Sequence, residues 1–168
     1  MIRSEREEDH AAVRAINEMA FGGPAEARLV DALRPVADPA ISLVAVDKDN
    51  VVGHIFFSPV SLHSGDSEPF MAMGLAPMAV HPEHQGRGIG SMLVREGLRR
   101  CREMGQLVVV VLGHPWFYPQ FGFVPASGRG IRSEYDVPDD VFMVAELEPD
   151  ALGGRTGLIT YRPEFADL

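Results

Sequence analysis

Three glycines spaced two residues apart form the first pattern in this chain that could do chemistry. They lie in Gln85-Gly86-Arg87-Gly88-Ile89-Gly90. Glycine has no Cβ, so backbone N–H groups beside it can approach a ligand closely. An apolar segment precedes the glycines and an amphipathic segment follows them, so the N–H groups stand at the start of a predicted helix. Such a terminus has unpaired donors and a positive dipole end, which predicts a phosphate-binding loop.

The same residues bear on which phosphate ligand the loop takes. A P-loop ends in Gly-Lys-Ser/Thr, and the only lysine of this chain is Lys48. A dinucleotide fold requires G-x-G-x-x-G and an acidic residue about 20 positions further on. Here the spacing is G-x-G-x-G, and no Asp or Glu occurs between Glu103 and Glu134. ATP and NAD are therefore disfavoured as ligands.

A resemblance to a known family begins at this loop. The acetyl-CoA motif of the GNAT superfamily of N-acetyltransferases has the core pattern Gln/Arg-x-x-Gly-x-Gly/Ala, and it resembles Val80-His81-Pro82-Glu83-His84-Gln85-Gly86-Arg87-Gly88-Ile89-Gly90-Ser91-Met92-Leu93. A second block is similar to the family's Phe-Tyr-x-x-x-Gly-Phe segment: Trp116-Phe117-Tyr118-Pro119-Gln120-Phe121-Gly122-Phe123. The two blocks occur in the family's order. The resemblance extends over residues 1–125, and a Val-Leu-Gly-x-Pro run points to an uncharacterised bacterial subgroup.

The resemblance implies that acetyl-CoA is the cosubstrate of a direct transfer to an amine through a tetrahedral intermediate. The acceptor would be a small molecule or a protein amine. The backbone of the strand before the loop would bind pantetheine, through Met78, Ala79 and Val80. The loop and the start of the helix would hold the pyrophosphate, through Gln85, Gly86, Arg87, Gly88, Ile89, Gly90 and Ser91. Arg87 has a second interpretation as a solvated loop arginine.

Tyr118 aligns with the tyrosine that acts as general acid in many family members. A phenol with a pKa of about 10 stays protonated at neutral pH and can donate to a thiolate. Tyr118 is also flanked by aromatic residues, so a purely structural role in the core is the alternative. The chain departs from many members nearby, because Gly113-His114-Pro115 stands where they carry an asparagine.

The general base is not fixed by the family, which uses varied residues. Glu26 is the candidate on the early helix that usually walls the acceptor site, and His54 and Glu68 are further candidates. Each of the three has a structural or surface alternative. His81-x-x-His84 lacks a third ligand nearby, so no metal is expected. The single cysteine, Cys101, is predicted to be a buried apolar residue.

Composition narrows the function classes. The 168 residues carry a net charge of −9, from 15 basic and 24 acidic residues. An acidic chain of this kind lacks the excess of basic residues that is typical of nucleic-acid-binding proteins. Its negative field favours a cationic substrate such as an amine. No membrane span and no signal peptide are expected, which suggests the cytoplasm. A homodimer is possible by family resemblance. The alternatives are an acyl-CoA-binding sensor without turnover and a different nucleotide binder.

Hydrophobic periodicity predicts the elements that position these residues. Helices are predicted over 9–20, 25–33 and 88–104. Strands are predicted over 1–6, 41–46, 51–59, 70–80, 107–112, 142–147 and 158–161. An antiparallel run followed by a strand–helix–strand unit indicates an α+β fold. We expect one GNAT-like domain over residues 1–168, with a mixed, mostly antiparallel central sheet flanked by helices in three layers, α/β/α.

Overall fold

The computed structural model describes residues 1–168 and contains three α-helices and nine strands. The helices are α1 (His10–Phe21), α2 (Ala25–Leu33) and α3 (Ile89–Glu103). The strands are β1 (Ile2–Ser4), β2 (Ile41–Asp47), β3 (Asn50–His63), β4 (Phe70–Val80), β5 (Val108–Leu112), β6 (Val124–Pro125), β7 (Ile131–Ser133), β8 (Phe142–Glu146) and β9 (Gly157–Thr160). No helix has the length and apolar character that crossing a membrane requires.

The nine strands belong to one mixed sheet in which most pairings are antiparallel, which confirms the predicted fold class. The chain divides into two compact units. The first comprises residues 1–58, 76–100 and 163–168, and the second comprises residues 59–75 and 101–162. The expectation of a single domain over 1–168 stays a prediction.

In the first unit, β1 and β2 are antiparallel, and β2 pairs antiparallel with the first part of β3. Helices α1 and α2 pack against each other. Their buried side chains recur at helical spacing, as the sequence predicted: Val13, Ile16, Leu29, Val30 and Leu33. Helix α1 ends at Gly22, whose φ of 71° is a left-handed conformation that glycine adopts without strain.

Helix α3 lies against β3 at two glycines of the first unit. A Cβ on Gly53 would stand 3.1 Å from the Ile89 and Leu93 side chains, and a Cβ on Gly97 would overlap the Phe57 ring. The missing side chains let helix and strand approach closely. Since Ile89 is the first residue of α3, this contact packs the first turn of the helix, which follows the glycine loop, against β3.

In the second unit, β4 and β5 are parallel. Their ladder runs from the pair of Met73 with Val109 to the pair of Leu75 with Val111. Strand β8 pairs antiparallel with β5 and β6, while β9 pairs antiparallel with β3 and parallel with β7. One face of these strands carries a buried apolar cluster, in which Val110, Phe142, Val144, Ile131 and Ile159 take part.

The structure departs from the predicted boundaries mainly in β3 and the tail. Strand β3 continues to His63, beyond the predicted end at residue 59, because residues 61–63 pair with β9, almost a hundred positions later. Strands β6 and β7 were not predicted; both are too short to show alternation. Helix α3 begins at Ile89, one residue later than predicted, after Gly88 has taken a left-handed φ of 81°.

Candidate acetyl-transfer site

The glycine loop joins the end of β4 to α3 with two residues in a left-handed conformation. Gly86 has a φ of 78° and Gly88 a φ of 81°. A Cβ built on either would have no protein atom within 4 Å. Glycine is therefore needed here for the backbone conformation, and the space beside both residues is open to a ligand.

Four hydrogen bonds hold this loop in place. The Gln85 side-chain amide donates to the Val80 carbonyl at 3.1 Å, bridging the loop back to the end of β4. The His81 backbone N–H donates to the Val52 carbonyl of β3 at 2.8 Å. The Glu83 N–H donates to His81 Nδ1 at 3.1 Å, and the Met92 N–H donates to the Gly88 carbonyl at 3.0 Å. The glycines are thus flanked by fixed residues on both sides.

The electrostatics of the loop favour an anion. The first turn of α3 contains no acidic residue. The N–H groups of Ile89, Gly90 and Ser91 precede the first i−4 bond of the helix, so helix geometry gives them no intrahelical acceptor. The macrodipole adds positive potential at the same end. Arg87 is exposed between the two left-handed glycines.

Tyr118 lies in the second unit, at the start of a 3-10 helix over Tyr118–Phe121. Its side chain is only 6% exposed, and its ring packs edge-on against Phe117 and Phe123. A Cβ on Gly113 would overlap this ring. Burial raises the pKa of the phenol to about 12, so Tyr118 is protonated throughout the neutral range.

The segment before Tyr118 presents an open aromatic surface. Trp116 is 76% exposed and stacks on His114, with ring centroids 5.1 Å apart and an interplanar angle of 18°. Its other contact is edge-on to Phe117. The turn that departs from the family's asparagine is therefore built around Gly113 and this stacked pair.

The candidate bases lie in different surroundings. Glu26 is half-buried in the first turn of α2, where its charge also suits the helix dipole. Glu68 is exposed in the connection between β3 and β4.

Two further residues named from the sequence are not candidate bases. His84 Nε2 lies 3.7 Å from an Asp47 carboxylate oxygen. Cys101 is buried, and burial raises the pKa of its thiol to about 12, in agreement with the predicted apolar role.

His54 is fully buried and belongs to a polar network rather than to an open site. Ser42 Oγ donates to Glu5, so His54 Nε2–H must donate to Ser42 Oγ, at 2.9 Å. Its Nδ1 then accepts from the Asn17 amide, at 3.4 Å. Arg34 closes the network with two bonds to the Glu5 carboxylate. Burial lowers the pKa of His54 to about 4, so the ring is neutral, and both nitrogens are already engaged.

Comparison with known proteins identifies the family to which this chain belongs. A family model described as an acetyltransferase (GNAT) domain matches residues 1–126. The chain belongs to the GNAT acetyltransferase family. The match includes the glycine loop and the aromatic block, the two segments on which the resemblance was based.

Curated relatives in the GNAT family extend the match into the tail. The uncharacterized N-acetyltransferase YhbS of Escherichia coli K12 is 37% identical over 166 residues, covering 98% of each chain. The uncharacterized N-acetyltransferase YjhQ of the same strain is 40% identical over 135 residues, covering 79% of this chain and 74% of YjhQ. These matches support the assignment of this chain as an acetyltransferase.

Two solved GNAT structures are similar over nearly the whole chain. The crystal structure of YhbS from Escherichia coli in complex with CoA has a TM-score of 0.90 and 36% identity, covering 98% of this chain and 91% of that one. A GNAT acetyltransferase from Brucella melitensis in complex with acetyl-CoA has a TM-score of 0.79 and 34% identity, covering 98% and 97%.

Several residues of this GNAT chain have structural roles that the sequence did not reveal. The Gln85 side chain holds the loop to β4, although motif reasoning assigned it to the ligand. Gly113 makes room for the Tyr118 ring, and Gly53 and Gly97 make room for α3 and Phe57. None of these three glycines has a positive φ, so only their spatial neighbours explain them.

Proposed function

We propose that this protein transfers an acetyl group from acetyl-CoA to an amine. The observation that most directly supports this proposal is the glycine loop. In it Gly86 and Gly88 adopt left-handed conformations beside open space, at the start of a 15-residue helix. The relatives crystallised with CoA and acetyl-CoA support the choice of cosubstrate. When bound, acetyl-CoA supplies a thioester that the amine attacks and a thiolate that leaves.

The loop fits a pyrophosphate in three respects. A Cβ would fill the space beside Gly86 or Gly88, and none is present. The N–H groups of Ile89, Gly90 and Ser91 are available as donors at the positive end of α3. The exposed Arg87 adds a cation that can pair with phosphate oxygens. We assign these residues, with the loop held by Gln85, to pyrophosphate binding.

The end of β4 is assigned to the pantetheine arm. The backbone of Met78, Ala79 and Val80 offers donors and acceptors that lead directly into the loop. One of these N–H groups would face the oxyanion of the tetrahedral intermediate, where a fixed donor stabilises developing charge. Positioning by the loop and this strand would contribute by holding the reactants in a productive geometry.

We assign Tyr118 the role of hydrogen-bond donor to the leaving thiolate. Its phenol is protonated at neutral pH, because burial raises its pKa to about 12. That value lies well above a free thiol's pKa of about 8.5. Complete proton transfer would therefore be uphill, and a hydrogen bond that strengthens as negative charge develops on sulfur is the better description.

We assign Glu26 the role of general base, which accepts the proton of the attacking amine. An ammonium must lose a proton to become a nucleophile, and Glu26 is a half-buried carboxylate on α2. His54 is not assigned this role, because it is fully buried and hydrogen-bonded through both nitrogens. We keep the cytoplasm and a homodimer as predictions.

The loop assignment is tested with Gly88→Val and a matched control, Gly105→Val. Gly105 follows α3 at its other end and has a φ of 74°, and a Cβ there also meets nothing within 4 Å. The two substitutions therefore impose similar backbone strain without a clash with protein. Only Gly88→Val would place a side chain in the proposed phosphate space.

Isothermal titration with CoA and thiol release from acetyl-CoA are the readouts. We expect Gly88→Val to weaken CoA binding by about 100-fold or more, a loss of about 3 kcal/mol. Gly105→Val should bind CoA like the unsubstituted protein, although it unfolds more easily. Equal CoA affinity in the two variants would refute the loop assignment. Tight CoA binding without turnover of any amine would favour the sensor alternative.

A further inference from the structure

The short strand β7 has one unpaired edge in the second unit. It pairs in parallel with β9, and no other strand of the sheet pairs with it. The bonds at its two ends show which residues face β9. The Gly157 N–H donates to the Gly130 carbonyl at 3.0 Å. The Glu134 N–H donates to the Ile159 carbonyl at 3.0 Å.

Alternation along the strand decides which backbone groups lie on the unpaired edge. In a parallel ladder, every second residue directs its N–H and C=O toward the partner strand. Since Gly130 and Glu134 face β9, Arg132 faces it too. The backbone groups of Ile131 and Ser133 therefore point away from β9. Two donors and two acceptors, spaced as in a regular strand, are left for a partner other than β9.

A cavity of about 360 Å³ lies along this edge. The four consecutive residues 130–133 line it. Neighbouring side chains of a strand point to opposite faces, so a space that all four residues border lies beside the strand rather than over one of its faces. The volume falls within the range of about 300–1,000 Å³ that is usual for ligand sites. The free backbone groups of β7 thus border a space that a ligand can enter.

The other lining residues of this cavity indicate which side chains it would accept. Ile131 and Phe142 are buried members of the apolar cluster, so the floor of the cavity is apolar. Asp136 and Asp139 are exposed carboxylates that line it, and Arg132 is its one basic lining residue. Two carboxylates against one guanidinium leave an excess of negative charge, which favours basic groups in a ligand.

We propose that β7 and this cavity bind an extended segment of a partner polypeptide by strand addition, and that the segment has alternating apolar and basic residues. Its backbone would pair with Ile131 and Ser133. An apolar side chain would enter the cavity above Phe142, while basic side chains would lie near Asp136 and Asp139. Strand addition obtains affinity from main-chain hydrogen bonds and selectivity from pockets for alternate side chains.

Charge favours a separate basic partner over a second copy of this chain. A second copy would bring the same excess of carboxylates to the edge, and each chain has a net charge of −9. A basic segment would meet the carboxylates of the cavity with opposite charge. The proposal concerns a docking surface and does not depend on acetyl transfer.

Hydrogen exchange at three neighbouring amides tests strand addition. The probes are capped peptides, acetyl-Lys-X-Lys-X-Lys-amide with Val, Leu or Phe at X, added to the ¹⁵N-labelled protein. We expect a peptide to slow exchange at Ile131 and Ser133, whose N–H groups it would engage. Exchange at Arg132 should change less, because its N–H already faces β9. No acetyl-CoA is present, so the result stands whether or not the proposed function does.

Matched pairs separate the backbone contribution from the charge contribution, with affinity measured from the amide shifts of residues 134–142. A fully N-methylated peptide keeps its side chains but has no backbone donors, and it should bind about tenfold or more weakly. Asp139→Asn should weaken binding by about fivefold, the upper scale for an exposed pair. Asp140→Asn should leave binding unchanged, because Asp140 is exposed and does not line the cavity.

A second pair of variants changes the edge of β7 itself. Ser133→Pro removes an edge N–H at a position where an unpaired strand tolerates proline. Ser133→Ala keeps that N–H, and both variants lose the bond that Ser133 Oγ accepts from the Tyr135 N–H. We expect Ser133→Pro to weaken peptide binding by about tenfold and Ser133→Ala to retain it.

Four results would overturn the proposal. The first is unchanged exchange at Ile131 and Ser133 with all three peptides. The second is a set of shifts around the cavity without that protection, which would indicate a ligand that adds no strand. The third is an equal effect within either pair of variants. The fourth is protection that appears without peptide as the protein concentration rises, which would assign the edge to a second copy of the chain.

Discussion

The buried histidine of the first unit should make the protein sensitive to mild acid. His54 is 0% exposed, and burial lowers its pKa from an ordinary 6.5 to about 4. Below pH 6.5 the unfolded chain takes up a proton at this position that the folded chain does not. The free energy of unfolding therefore falls as the pH drops through this window.

The size of the effect follows from the two pKa values. Between pH 7 and pH 5 the unfolded histidine becomes almost fully protonated, while the folded one remains neutral. The resulting loss is about 2 kcal/mol, and it grows to about 3 kcal/mol by pH 4. Facing His54 are Asn17, Ser42, the Phe56 ring and the Glu5–Arg34 pair. Glu5 has a lowered pKa, so its own contribution is lost only at lower pH.

Urea unfolding at pH 7 and pH 5 measures the difference directly. His54→Gln keeps a donor and an acceptor but cannot titrate, so its stability should change by about 2 kcal/mol less than that of the unsubstituted protein over this interval. His114→Gln, at an exposed position, is the control and should keep the full dependence. Equal pH dependence in the His54 variant and the unsubstituted protein would refute the assignment of a neutral buried ring.

Tyr118→Phe should lower kcat by about 100-fold or more with unchanged CoA affinity, the scale of removing one hydrogen-bond donor to developing negative charge; unchanged kcat would leave Tyr118 with a structural role only. Gly113→Ala should also lower kcat, because its methyl group would displace the Tyr118 ring, and it should lower kcat much less when Tyr118 is already Phe. Glu26→Gln should reduce turnover by about 100-fold at neutral pH, and a pH–rate profile identical to that of the unsubstituted protein would exclude it as the base. Gly97→Ala should destabilise the fold by about 1–2 kcal/mol in urea, since overlap with Phe57 outweighs the better helix propensity of alanine.

The fold and the loop could be predicted because their determinants are local. Helices α1 and α2 follow from apolar residues at helical spacing, and the loop follows from three glycines between a strand and a helix. The family model covers those glycines, and their role in binding phosphate stays a prediction. The prediction that Cys101 is a buried apolar residue was also correct.

The rest depends on neighbours that are distant in sequence. Residues 61–63 extend β3 because β9 pairs with them. His54 was a candidate base from its residue type alone, and only its contacts with Asn17 and Ser42 show that it is part of a buried network. The role of Gly113 is likewise invisible without the Tyr118 ring.

The stacking of Trp116 on His114 has a practical consequence. Trp116 is the only tryptophan of the chain, so its indole emission arises from one exposed ring two residues before Tyr118. Tryptophan fluorescence from this protein is therefore local. A change in emission on adding CoA or an amine would report on the segment leading to Tyr118, without any label. A quencher such as iodide would measure how far a bound molecule covers that ring.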